Sequence, residues 1–278
     1  MKPRVMSLVI FTCVVGLLIA PNEVNFFYAG ASLVAVALGA GAAGTLNMWY
    51  EADIDALMKR TCLRPIPTGK VTKQQALVFG VLTSFTSIIA LYFFSNLLSA
   101  VALTITILFY VVVYTIWLKQ KTPQNIVIGG AAGAFPPIIG WTIATGNITL
   151  EPILLFLIIF FWTPSHFWAL SLYKKEDYKN AKIPMLPVTA GTKTTKINIF
   201  VYSLILFAVA LTPFFFSYFG TVYFLFAFVL GFYYVYLCYK LLIEKIIKLE
   251  KIIAKKIFFF SILYLFLIFS AILLDSSL

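Results

Sequence analysis

Nine stretches of this chain are continuously apolar: roughly 5–20, 26–48, 75–94, 97–117, 124–144, 152–172, 197–216, 219–240 and 256–274. About 20 apolar residues are what a helix needs to cross a hydrocarbon core ~30 Å thick. No water in that core can satisfy a peptide N–H or C=O, so each crossing segment must pair its own backbone groups. A closed barrel would do the same, but its strands alternate polar and apolar residues over about ten positions. These runs do not alternate. The expected fold is therefore all-α, a polytopic bundle of nine transmembrane helices forming one domain over 1–278. Composition agrees, with 62% hydrophobic and 11% charged residues, against about 45–50% and about 25% in soluble domains. The first run follows Lys2 and Arg4 as a signal peptide would, but no small-residue cleavage site comes after it. It reads as an uncleaved first helix.

The net charge of +11 would suggest a polyanionic partner in a soluble domain. Here its distribution gives another cause. All 21 Lys and Arg residues fall in the N-terminal tip or in the stretches 49–74, 118–123, 173–196 and 240–256. The alternate connections, 21–25, 95–96, 145–151 and 217–218, contain none, and Glu23, Glu151 and Asp275 lie on that other side. Cytoplasmic loops collect Lys and Arg, so the N-terminus is expected in the cytoplasm and the C-terminus outside. The topology accounts for the charge without nucleic acid; the expected partner is membrane lipid. The amphipathic basic segment 240–256 is expected to be a loop lying on the anionic cytoplasmic leaflet. Three cysteines far apart, Cys13, Cys62 and Cys238, give no disulfide framework or zinc site, and a single histidine excludes a His-rich metal centre. Channels and transporters carry ionisable residues at mid-membrane. Here those residues gather instead at the cytoplasmic ends of the second, fourth and sixth runs.

Asn47, Glu51 and Asp55 close the second run. At i, i+4 spacing they share one helix face, as a ladder about 12 Å long at ~1.5 Å rise per residue; Asp53 falls well round from it. Magnesium takes oxygen ligands, often one or two carboxylates plus substrate phosphates. With Arg60 and Arg64 one or two turns on, the ladder suits a Mg2+-diphosphate. The alternative is a charge-balanced boundary helix facing water. A second polar cluster, Tyr173 to Lys179, follows the sixth run. Continued as helix, Trp162, His166, Tyr173 and Asp177 make one stripe from the membrane interior to its edge; the alternative is an interfacial aromatic belt. Two acidic clusters on one membrane face suit the ionisation of an allylic diphosphate. Lys119, at the end of the fourth run, is placed to neutralise the departing diphosphate; Lys121 reads as an ordinary positive-inside lysine. Gly39-Ala-Gly41-Ala-Ala-Gly44 and Gly129-Gly130-Ala-Ala-Gly133 allow close helix approach, and Pro136-Pro137 a kink.

Asn47-xxx-Glu51-xxx-Asp55 with Arg60 and Arg64-Pro65 resembles the first aspartate-rich motif of the UbiA-type intramembrane prenyltransferases. Four further strings narrow the resemblance to their protoheme IX farnesyltransferase (haem O synthase) branch. They are Lys2-Pro-Arg-Val-Met-Ser, Thr122-Pro-Gln-Asn running to Phe135-Pro-Pro137, Trp162-Thr-Pro-Ser-His-Phe-Trp168, and Glu176-Asp-Tyr with Ile183-Pro-Met-Leu-Pro187. The likeness covers the chain to about residue 196; beyond it only hydropathy and position match. Glu51 departs from the Asp usual there, and the family-typical N-terminal extension is expected to be short or absent. The resemblance implies an inner-membrane enzyme with its active site near the cytoplasmic face, farnesyl diphosphate and haem B as substrates, and Mg2+ as cofactor. Asn47, Glu51, Asp55 and Asp177 would hold the metal, and Arg60, Arg64 and Lys119 the diphosphate. His166 and Trp162 would bind haem, with Tyr173 in the catalytic group. A haem vinyl group would attack the farnesyl cation, and water would complete a hydroxyethylfarnesyl side chain. A haem A synthase or terminal-oxidase assembly factor is the implied protein partner. Rival readings are a prenyltransferase acting on a quinone precursor and a cation-coupled transporter. A CDP-alcohol phosphatidyltransferase is disfavoured, because its Asp-Gly hallmark is missing.

Overall fold

The computed structural model describes residues 3–278, with side chains from Met6 onward. Lys2 and the Arg4 side chain, both part of the basic N-terminal tip, lie outside the described residues. Among the described residues every regular element is helical. In chain order these are α1 Pro3–Leu18, α2 Phe26–Tyr50, α3 Ala52–Leu57, α4 Lys73–Phe94 and α5 Leu97–Leu108, the last continuing as a π-helical segment over Phe109–Leu118. There follow α6 Asn125–Ala134, α7 Pro136–Thr145, α8 Leu150–Tyr173, α9 Lys175–Asn180, α10 Leu186–Thr189, α11 Gly191–Phe215, α12 Thr221–Ile243 and α13 Ile247–Ser276. Among the described residues, eight spans are long and apolar enough to cross a membrane, with α6 and α7 together counting as one. The first apolar run forms a shorter helix: its 16 residues rise ~24 Å, less than the ~30 Å core.

The chain divides into two compact units. One runs to Gln120 and takes in Phe135–Pro152; the other comprises Lys121–Ala134 and Ile153–Leu278. In the first, α2 packs along α4 and α1 along α7. Lipid tails are as apolar as leucine, so helices in a membrane associate through close packing rather than exclusion of water. Small residues make that closeness possible. A Cβ on Gly140 would collide with the Cys13 carbonyl, and one on Gly16 with the carbonyl of Pro137. Gly80 of α4 is the notch for Leu46 of α2, whose side chain lies 2.7 Å from where a Cβ would stand. Leu17, Val36, Leu46, Leu91, Leu103 and Ile139 form the centre of this unit's apolar core. A polar seam joins α5 to α7: Asn96 Nδ2 donates to the Thr142 carbonyl at 2.7 Å, and Ser99 Oγ to Thr142 Oγ1 at 3.0 Å. Such interhelical bonds contribute ~0.6 kcal/mol each on average.

In the second unit α11, α12 and α13 pack in succession. Asp275, near the end of α13, accepts the backbone N–H groups of Gly220 and, at 3.1 Å, Tyr223. A carboxylate from another helix thus satisfies donors that the first turn of α12 would leave unpaired. One expectation needs correction here. The basic stretch 241–255 is not a loop: only Glu244–Ile246 is non-helical, and Ile247–Lys256 is the start of α13. The reason lies in α11. Lys196 is buried there and donates to Glu250 Oε1 and to the Glu244 carbonyl, both at 2.5 Å. It pins the turn, so that only three residues separate α12 from α13.

Candidate active site

The i, i+4 register of the ladder survives a break in its helix. α2 ends at Tyr50, and Glu51 sits at φ −91°, ψ 9° between α2 and α3. Even so, Glu51 N–H donates to the Asn47 carbonyl at 3.0 Å and Asp55 N–H to the Glu51 carbonyl at 2.7 Å. Asn47, Glu51 and Asp55 are 1%, 2% and 2% exposed. The water-facing alternative is therefore excluded for them. It holds for Asp53, whose side chain is 85% exposed and pairs with Lys73.

Buried charge must be paired, since an unpartnered carboxylate inside the protein costs several kcal/mol. Lys119 Nζ lies 2.5 Å from Glu51 Oε1, and Arg64 Nη1 lies 2.6 Å from Asp55 Oδ2. Lys119 reaches Glu51 because α5 ends as a π-helix, where the Lys119 N–H pairs with the Tyr114 carbonyl five residues back. In the same segment Thr115 Oγ1 donates to the Tyr110 carbonyl at 2.8 Å and accepts Asn47 Nδ2 at 2.9 Å. That pairing fixes which way the Asn47 amide faces. Arg60 and Lys121 are exposed and are not among the ladder's ion-pair partners. Thr61, beneath the ladder, donates to the Asp55 carbonyl at 3.0 Å and holds the loop that carries Arg64.

The second cluster forms around α8. Trp162 stacks on His166 at 4.2 Å between ring centroids, and His166 on Phe258 of α13 at 4.6 Å. Tyr173 meets the same Phe258 edge-on at 5.9 Å. Phe258 thus touches two members of the expected stripe, His166 and Tyr173, and His166 carries Trp162 on its other face. The stripe does not continue as one helix, because α8 stops at Tyr173 and Lys174 turns the chain into α9. Asp177 lies on α9, with Oδ2 buried and without a hydrogen-bond partner. The Ile183-Pro-Met-Leu-Pro187 string folds beneath α9: Lys182 takes a positive φ of 53°, and the Ile183 N–H donates to the Tyr178 carbonyl at 3.0 Å.

The donor set suits magnesium. Amide and carboxylate oxygens are hard ligands, and one or two carboxylates suffice where phosphates supply the rest. Glu51 Oε1 is met by the Lys119 point charge but by no aligned hydrogen bond, which leaves it able to change partner. Among the described residues no three carboxylate, histidine or cysteine side chains cluster.

A model of the UbiA prenyltransferase family matches residues 9–263. The chain belongs to that family. Among curated UbiA-type relatives, a protein named protoheme IX farnesyltransferase from Pelagibacter ubique (strain HTCC1062) is 64% identical over 275 residues, covering 99% of this chain and 91% of its own length. One of the same name from Rhodopseudomonas palustris (strain BisB18) is 51% identical, over 99% and 88%. Among solved structures, that of digeranylgeranylglyceryl phosphate synthase superposes with a TM-score of 0.81 at 18% identity, covering 99% of this chain and 94% of that one. A UbiA homologue from Archaeoglobus fulgidus bound to DMAPP and Mg2+ gives 0.70 at 15% identity, over 97% and 96%. The UbiA fold is therefore shared at low identity.

Sequence reasoning missed Thr115, Thr61, Phe258 and Ser261, whose backbone and side chain hold Trp162 and His166. Thr115, Phe258 and Ser261 stand in apolar runs with nothing local to mark them; they become legible only once the helices are packed.

Proposed function

We propose that this membrane enzyme converts haem B to haem O by transferring a farnesyl group from farnesyl diphosphate to one carbon of a haem vinyl group, with water supplying a hydroxyl to the other. Supporting this is the full-length likeness to proteins named protoheme IX farnesyltransferase, together with a buried, charge-paired ladder suited to a diphosphate. Glu51 and Asp55 against Lys119 and Arg64 sum to zero charge, −2 + 2. With a metal diphosphate bound there, the carboxylates would be the residues to hold the metal, and the two cations would face the phosphate oxygens.

In this reading Asn47, Glu51 and Asp55 would hold Mg2+, with Asp177 as a further candidate ligand. The metal supplies Lewis-acid stabilisation of the charge that develops on the leaving diphosphate. Lys119, Arg64 and Arg60 stabilise the same charge as the bond from farnesyl C1 to oxygen breaks and its electron pair leaves with the diphosphate. The vinyl π electrons form the new carbon–carbon bond to C1. Water adds to the resulting cation and loses a proton, leaving a hydroxyethylfarnesyl group. Trp162, His166 and Tyr173 present aromatic surface to the porphyrin, and His166 is the side chain able to ligate its iron.

The two units together form one prenyltransferase domain on this proposal, supported by a family match that runs through both. The nine-crossing topology, a cytoplasmic N-terminus, an inner-membrane location and a site near the cytoplasmic face rest on the one-sided distribution of Lys and Arg. The haem A synthase or oxidase assembly partner belongs to the same proposal, and co-purification tests it. The test of function is incubation of membranes containing the protein with haem B, farnesyl diphosphate and Mg2+, reading haem products by mass. Haem O is expected; prenylation of an added quinone-ring precursor with haem left unchanged would refute the assignment.

A further inference from the structure

His166 is held on three sides. Its faces are covered by Trp162 and Phe258, and its Nδ1 lies 2.6 Å from Ser261 Oγ. Ser261 has one hydroxyl proton, and its Oγ donates to the Phe258 carbonyl at 2.7 Å. While that bond is made, Oγ can only accept from the ring, and the tautomer that fits it carries its proton on Nδ1. The neighbouring hydroxyls are engaged in the same direction. Tyr234, which also lies beside Ser261, donates to Ser165 Oγ at 2.8 Å, and Ser165 donates to the Trp162 carbonyl at 3.1 Å. Trp162 Nε1 in turn donates to the Ser261 carbonyl at 2.8 Å. One residue of α13 therefore sets both the indole and the imidazole.

We infer that Ser261 is a positioning residue: it holds His166 as the Nδ1–H tautomer and leaves Nε2 as the lone-pair donor turned to haem iron. The inference rests on the haem-modifying reading above and adds to it the nitrogen that acts and the group that selects it. A hydrogen bond on the far nitrogen is the usual way a ligating histidine is oriented and made more basic.

The chain has a single histidine, so protein labelled with [15N]histidine reports this ring alone. The expected spectrum shows a protonated Nδ1 and a bare Nε2. Ser261→Ala should move the population towards Nε2–H, and Ser261→Thr, which keeps the hydroxyl, should restore it. Adding haem B as its diamagnetic ferrous carbon monoxide complex should shift the Nε2 resonance. Haem affinity read from the visible spectrum should fall about tenfold in Ser261→Ala and recover in Ser261→Thr. An Nε2–H ring in the unsubstituted protein, or a tautomer indifferent to Ser261→Ala, overturns the inference. Haem O formation alongside an Nε2 resonance untouched by haem also overturns it while leaving the function standing. A haem-shifted Nε2 in a preparation that makes no haem O supports it and refutes the function instead.

Discussion

Glu51 and Asp55 are each buried against one cation, and the pairs are not interchangeable. Removing one member of a buried pair typically costs ~3–5 kcal/mol, because the other charge is stranded. Lys119→Met should therefore lower the Tm of the detergent-solubilised protein, while Lys119→Met with Glu51→Gln should recover most of the loss. A double substitution no more stable than the single one would show that the contact is not energetically coupled. Thr115 carries a subtler role. Thr115→Val removes the acceptor that orients the Asn47 amide, so turnover should fall about tenfold and the Mg2+ needed for half-maximal rate should rise. Thr115→Ser should behave as the parent, and a Thr115→Val enzyme with unchanged Mg2+ dependence would remove Thr115 from the site. The ladder itself was legible in the sequence because i, i+4 spacing is local, and the hydrogen bonds keep that register through the break at Glu51. Thr115 was not, since a threonine in an apolar run carries no sign of what faces it.

Among the elements, the π-helical end of α5 matters most. Each residue of an α-helix turns ~100°, and the wider π turn sets where Lys119 emerges. Deleting Val112 should tighten the segment to α, rotate Lys119 away from Glu51 and reduce haem O formation at least a hundredfold. Full activity in that variant would mean the π geometry is incidental. The α1–α7 contact is as demanding. Gly140→Val would drive a side chain into the Cys13 backbone, so little folded protein should be recovered by detergent size-exclusion chromatography. The helical type of the long apolar spans was readable from their continuous apolarity, whereas the short helices α3, α9 and α10 in the polar connections and the π-helical end of α5 were not. Nor were two boundaries. The start of α13 reads as a lysine-rich loop until Lys196 of α11 is seen pinning Glu250 and the Glu244 carbonyl. The stripe from Trp162 to Asp177 reads as one helix until the chain turns at Lys174.

For the molecule as a whole, function follows from where charge is allowed. The spans are apolar, and the buried carboxylates stand at helix ends with cations of their own. That economy of charge is what an enzyme ionising an allylic diphosphate inside a membrane requires. The proposed topology puts Leu278 outside: alkaline phosphatase fused after Leu278 should be active and a fusion after Lys121 inactive, and the reverse pattern would invert the orientation. The most direct test of the whole is the initial rate of haem O formation against Mg2+ concentration, for the parent enzyme and for Asp55→Asn recovered in the membrane at equal amounts. A metal-dependent rate that Asp55→Asn lowers at least a hundredfold is predicted. An undiminished rate in Asp55→Asn, or in excess chelator, would contradict it.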